Sequence, residues 1–172
     1  MPRPRDALLD AESLAAAGAV VEREFRVADF ARLADRLARP EGKATARLDL
    51  ARIEGVAAGD LRVKATAVLT CQRCLGPVRR VVESEARLAF VESDDTPVPA
   101  DREALACDPR RLDLAALVED ELLLSLPLIA RHGEGEACAL PAAAAPEAGT
   151  GPAAAPVEMR RPFAGLKDLL KH

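Results

Sequence analysis

The chain has 172 residues, a net charge of −4 and a pI near 5.3, with 49% hydrophobic residues but only 2% aromatics and no Trp or Tyr, so any core is built from Ala, Leu and Val. No stretch approaches the ~20 apolar residues of a membrane span, and the opening Met1-Pro2-Arg3-Pro4-Arg5-Asp6 lacks the apolar region of a secretory signal. The expected location is therefore the cytoplasm, where cysteines stay reduced and a C-x-x-C reads as metal-binding or redox-active rather than as a structural bridge.

In chain order, Val21, Arg23, Phe25 and Val27 suggest a short first strand. Asp29 reads as the N-cap of a helix to about Arg39, with Phe30, Leu33, Ala34 and Leu37 on one face and Pro40 as its stop. Ala46, Leu48 and Leu50 begin a second strand, and the apolar phase slips at Ile53, which predicts a bulge or bend. Gly55 and Gly59-Asp60 are expected to turn the chain into a third strand. There Leu61, Val63, Ala65, Ala67 and Leu69 alternate with polar residues, the period of a half-buried strand. After the turn Cys71-Gln72-Arg73-Cys74-Leu75-Gly76-Pro77, residues Val78, Val82, Ala86, Leu88 and Phe90 keep the same apolar phase. Residues 44–91 thus read as a three-stranded antiparallel meander with a C-x-x-C knuckle, in an α+β domain of two or three helices.

Asp113 caps a further helix with Leu114, Leu117, Val118 and Leu122 on its apolar face, ending before Pro127. Its Glu119-Asp120-Glu121 run points in different directions around the helix, which argues against paired acid–base chemistry and for a solvated or salt-bridged face. Residues 139–158 contain nine Ala, four Pro and two Gly, the composition of a flexible linker. Phe163, Leu166 and Leu170 share one face of a short terminal helix. The expected organisation is a single domain over 1–138, a linker over 139–158, and a helical tail over 159–172 that docks on the core or on a partner.

Charge is unevenly spread. Residues 43–82 hold eight Lys/Arg against three acids, whereas residues 83–136 hold fourteen acids against five Arg. That asymmetry suits an anionic partner on one face, or simply two solvated halves. Arg73, Arg79 and Arg80 crowd the knuckle, with Arg62 and Lys64 on the polar face of the neighbouring strand, as candidate RNA or partner contacts. Aromatic stacking platforms are nearly absent, so any RNA would be held through backbone and shape. The alternative is that these cations only solubilise a sheet face.

For metal, Cys71 and Cys74 have ligand spacing, and His132 and Cys138 follow the Leu-Pro helix stop in a loop able to return to the knuckle. Together they make a candidate Cys₃His zinc site. Cys107 is a rival fourth ligand, although its setting also fits a buried small hydrophobe. Thiols that merely pack the knuckle, or a redox-active C-x-x-C, are the competing readings.

Three separated segments also resemble one family. Thr70-Cys71-Gln72-Arg73-Cys74-Leu75-Gly76-Pro77, the acidic helix from Asp113 to Leu126-Pro127, and Arg161-Pro162-Phe163-Ala164-Gly165-Leu166 are similar, in order and spacing, to the YceD family of large ribosomal RNA subunit accumulation proteins. Some of its members carry a second C-x-x-C near the position of Cys138, where this chain offers His132 and Cys138. The resemblance implies a non-enzymatic factor in synthesis, processing or stability of large-subunit 23S rRNA. Its partner would be that RNA or a ribosomal protein, with no membrane and no small-molecule substrate. An adaptor acting through a ribosomal protein and a C-x-x-C redox protein are the alternatives.

Overall fold

The computed structural model describes residues 8–93, 95–136 and 138. The expected linker and terminal helix lie outside the described residues. In chain order the elements are β1 (Leu8–Leu9), α1 (Ala11–Ala16), β2 (Val20–Arg26), a 3₁₀ turn at Val27–Asp29, α2 (Ala31–Ala34), β3 (Leu37–Arg39), β4 (Lys43–Ile53), β5 (Val56–Thr70), β6 (Pro77–Val91), β7 (Glu103–Ala106), a 3₁₀ turn at Pro109–Arg111, β8 (Leu112–Asp113) and α3 (Leu114–Ser125). The fold is α+β.

The expected meander is the centre of a larger sheet. β4, β5 and β6 pair antiparallel, β2 adds antiparallel to β4, and β7 adds parallel to β6. β5 outruns β4, whose ladder stops at Ala44↔Ala65, and β3 takes up pairing beyond it at Leu37↔Leu69 and Arg39↔Val68. The inward residues of the alternating strands, among them Leu48, Leu61, Val63, Val82, Leu88 and Phe90, form one cluster with Phe30, Leu33, Leu114, Leu117, Val118 and Leu122. Asp113 caps α3 as expected, its carboxylate accepting the Ala116 N–H at 2.9 Å.

Four local expectations change. The helix from Asp29 to Arg39 is instead one turn, α2, followed by strand β3. Backbone groups of β5 beyond the reach of β4 need partners, and Leu37–Arg39 supply them, so the apolar spacing of Phe30, Leu33 and Leu37 serves two elements. Asp29 caps nothing: its carboxylate holds Arg26 at 2.7 Å. The bulge at Ile53 is absent, because the β4–β5 ladder runs unbroken to Ile53↔Val56 and turns at Glu54 and Gly55, both with positive φ (50° and 85°). Gly59-Asp60 makes no turn but lies within β5, opposite Leu50 and Asp49. Helix α1 has no counterpart in the sequence-based expectations. It is capped by Asp10, which accepts the Ser13 N–H at 3.0 Å.

The start of α2 has no side-chain cap of its own. Its cap comes from α3. Glu119, with 0% exposure, accepts the backbone N–H groups of Arg32 at 2.6 Å and Leu33 at 3.2 Å. The Arg32 guanidinium adds bonds to the same carboxylate at 3.1 and 3.2 Å, and also pairs with Asp120. Glu121 accepts a bond from Ser84 of β6 at 2.6 Å. Glu119 and Asp120 are thus salt-bridged, as expected for the run, but Glu119 is buried rather than solvated.

Two predictions follow from this packing. Burial pushes the Glu119 carboxyl up, but the Arg32 and Leu33 N–H groups and the Arg32 guanidinium outweigh it and hold it below its ordinary 4.5. A lowered folded pKa contributes stability that is complete above about pH 4.5 and is lost as pH falls through the folded value. Removing hydrogen bonds to a charged group costs roughly 1.5–3 kcal/mol, so Glu119→Ala should lower unfolding free energy by about that much near neutral pH. Denaturant melts should show the gap to wild type narrowing below pH 4. Separately, a Cβ at Gly59 would sit 2.7 Å from Leu48 Cδ1 and 3.1 Å from the Phe90 ring. Gly59→Ala should therefore cost about 1–3 kcal/mol of overpacking, read in the same melts.

Candidate metal centre

The long β5–β6 hairpin ends in the cysteine knuckle. Thr70↔Pro77 is its last paired position. Beyond it the Cys71 N–H donates to the Gly76 carbonyl at 2.8 Å, and the Leu75 N–H donates to the Cys71 carbonyl at 2.9 Å. Leu75 takes φ +59°, a left-handed position that folds the turn back and leaves its side chain exposed. Cys71 is fully buried and Cys74 partly so.

The second arm comes from the end of α3. Pro127 cannot continue the helix, and the chain runs alongside the knuckle, where the Gln72 N–H donates to the Ala130 carbonyl at 2.8 Å. Arg80 of β6 donates to the Arg131 carbonyl and pairs with Glu136 at 3.5 Å. Glu136 in turn accepts the Gly133 N–H at 2.6 Å, closing a tight turn between His132 and Cys138.

These contacts bring the donor atoms of Cys71, Cys74, His132 and Cys138 within 4.8 Å of one another. Cys71 Sγ lies 3.7 Å from Cys138 Sγ, and Cys74 Sγ lies 3.4 Å from His132 Nδ1. A tetrahedral ion with Zn–S bonds of ~2.3 Å and Zn–N bonds of ~2.0 Å implies edges of roughly 3.5–3.8 Å, so those two pairs already have the spacing of a coordination shell. His132 Nε2 sits 3.1 Å from the Pro77 carbonyl. An N–H there leaves Nδ1 as a lone-pair donor facing the sulfurs, the second-shell arrangement that orients a ligating imidazole. All four cysteines are free thiols. The donor set and its support fit a closed structural site for a soft divalent ion.

Electrostatics within the cluster are strongly coupled. The Cys74 backbone N–H is the main influence drawing the Cys71 thiol down to about 5, against the opposing effect of burial. The Gly76 N–H pulls Cys74 down too, but burial and the neighbouring sulfurs leave it raised. Burial opposes ionisation of Cys138, yet Arg73, Cys74 and His132 hold its thiol below the usual value. His132 is pushed up, first by Cys138 and then by Cys71. Thiolate and imidazolium thus stabilise each other, and a metal cation bound among them would take the place of the ring proton.

Cys107 is not part of it. It follows β7 and donates its N–H to the Val91 carbonyl at 2.7 Å, at the opposite end of β6 from the knuckle, and burial pushes its thiol up. The five candidate cations separate as well. Arg62 and Lys64 belong to a lattice of ion pairs on the sheet's open face: Lys64–Glu83 at 2.6 Å, Arg62–Asp49 at 3.5 Å, Arg62–Glu85 at 3.7 Å, with Arg47–Glu22 and Lys43–Glu24 both at 2.7 Å beside them. Arg80 braces the second arm, and Arg73 points to Cys138, its Nε 3.0 Å from the sulfur. Arg79 is exposed, and its side chain makes no ion pair among the described residues. The bracing roles of Arg80, Glu136 and the Pro77 carbonyl had no sequence expectation. The only local hint was the Gly133-x-Gly135-Glu136 turn itself.

Comparison with family profiles matches residues 59–170 to the family described as large ribosomal RNA subunit accumulation protein YceD. Searches of curated proteins and of solved structures return no match. The matched span begins within β5 and takes in the knuckle, all of α3 and the whole candidate ligand set. With that span covering well over half of its length, this chain belongs to the YceD family.

Proposed function

We propose that the protein is a non-enzymatic, cytoplasmic factor supporting synthesis, processing or stability of 23S rRNA, and that Cys71, Cys74, His132 and Cys138 hold a structural zinc ion. The observation that carries the function is the family match over residues 59–170. The metal is supported by the donor set and by the two pairs at 3.7 and 3.4 Å. Bound there, zinc supplies a cross-link between the hairpin tip and the segment after α3, and no reaction. Among the described residues no helix is long and apolar enough to cross a membrane.

The partner is large-subunit RNA or a ribosomal protein. Arg79 is the cation best placed to meet a phosphate, since Arg62 and Lys64 would have to exchange carboxylate partners for it. That expense favours few phosphate contacts and a partner that supplies other contacts too. The redox alternative draws on the lowered Cys71 thiol, whose thiolate the Cys74 N–H favours. Yet Cys71 has 0% exposure and its sulfur faces three other ligand-type groups, which is the setting of a metal ligand more than of an attacking thiolate.

Metal analysis of the purified full chain should find one zinc per protein, and Cys71→Ser should lose it. Zinc at about a thousand times its Kd stabilises by roughly 4 kcal/mol, about 10 °C in Tm for a domain of this size. That difference should separate the variant and the chelator-treated wild type from untreated protein. In cells, depletion should lower 23S rRNA relative to 16S. Unchanged 23S would overturn the ribosomal reading, and metal-free protein of equal stability would overturn the zinc. If RNA is bound directly, Arg79→Ala should reduce the log–log salt slope by ~0.7–0.9. No salt dependence in the wild type would move the reading to a protein-mediated adaptor.

A further inference from the structure

Arg73 occupies an exposed position between the two knuckle cysteines, where an arginine is free to extend into water. Its side chain instead turns back, and Nε donates to Cys138 Sγ at 3.0 Å. It has no carboxylate partner among the described residues, so its one directed bond is to a sulfur. Cys138 is also the ligand with the least support from regular structure. Cys71 and Cys74 are held by the hairpin turn and His132 by the Pro77 carbonyl, whereas Cys138 follows the Gly133–Glu136 turn outside any helix or strand.

Charge supplies the second half of the argument. Three thiolates and a neutral imidazole around a divalent ion leave one excess negative charge. That charge lies against fully buried Cys71, where solvent screens it poorly. A guanidinium is the residue suited to this place, because it stays protonated throughout the working pH range and directs its N–H along a fixed plane.

We propose that Arg73 is a positioning residue of the metal centre: it neutralises the excess charge of the Cys₃His set and fixes Cys138 against the knuckle, so it serves the metal rather than a phosphate. This rests on the zinc reading above. Arg80, which ties down Arg131 and Glu136, also holds this segment, but its bonds go to no ligand atom.

The test uses the purified full chain, with zinc affinity measured by competition against a chromophoric chelator and with cobalt(II) as a spectroscopic probe. Loss of a second-shell partner typically costs 10–100-fold in metal affinity. Arg73→Ala should weaken zinc by roughly that factor and shift the thiolate-to-cobalt charge-transfer absorption. Arg73→Lys, which keeps the charge but not the planar N–H, and Arg73→Gln, which keeps only a donor, should each fall between Arg73→Ala and wild type. Arg79→Ala, two positions beyond the turn, should change neither readout. Far-UV circular dichroism checks that each variant is folded, and the Lys and Gln variants carry the test if the Ala variant is not. Wild-type affinity and an unchanged cobalt spectrum in Arg73→Ala, or an Arg73→Lys as weak as Arg73→Ala, would overturn the proposal. A wild-type chain that binds neither metal would instead overturn the zinc reading beneath it.

Discussion

A buried carboxylate helps to fix how α3 sits against α2. Glu119 has no exposure, yet it stays ionised because two backbone N–H groups of α2 and the Arg32 guanidinium point at it. An ionised carboxylate inside a core is costly unless such partners are all present, so the arrangement tolerates little displacement of α3 relative to α2. That register carries forward. α3 ends at Ser125, Pro127 turns the chain, and Ala130, His132 and Cys138 arrive where the knuckle can use them. The placement of a prospective metal ligand is therefore decided in part by a hydrogen bond to a one-turn helix.

The two halves of the ligand set reach the site by different physics. Cys71 and Cys74 are fixed by a hairpin of two fifteen-residue strands, whose ladder is regular up to the last pair before the turn. His132 and Cys138 lie 58 to 67 residues further along and depend on tertiary contacts, the Ala130 carbonyl and Arg80 among them. A metal joining such distant segments closes a long loop, the situation in which a cross-link removes most entropy from the unfolded chain.

What the sequence made legible follows the same division. Alternation in Leu61–Leu69 and Val78–Phe90, the knuckle spacing and the Asp113 cap are local signals, and the structure has each of them. The run Phe30, Leu33, Leu37 misled because a helical spacing of three and four does not reveal that β5 projects past β4 and needs another strand. Three consecutive acids gave no sign of which one turns inward, since the group that decides it, the α2 N-terminus, is 86 to 87 residues away. Sequence likewise suggests Arg73 only as a candidate RNA or partner contact, because Cys138 is separated from it by 65 positions.

The open face of the sheet holds a consequence for encounter rates. In sequence, residues 43–82 carry a surplus of positive charge, but on the folded sheet Lys43, Arg47, Arg62 and Lys64 each lie within 4 Å of a carboxylate from the same or an adjacent strand. Opposite charges at that spacing cancel well inside the ~8 Å screening length of physiological salt. An approaching polyanion meets alternating dipoles there instead of a monopole. The lattice itself therefore creates no long-range funnel, and collisions with these paired side chains gain little from electrostatic steering.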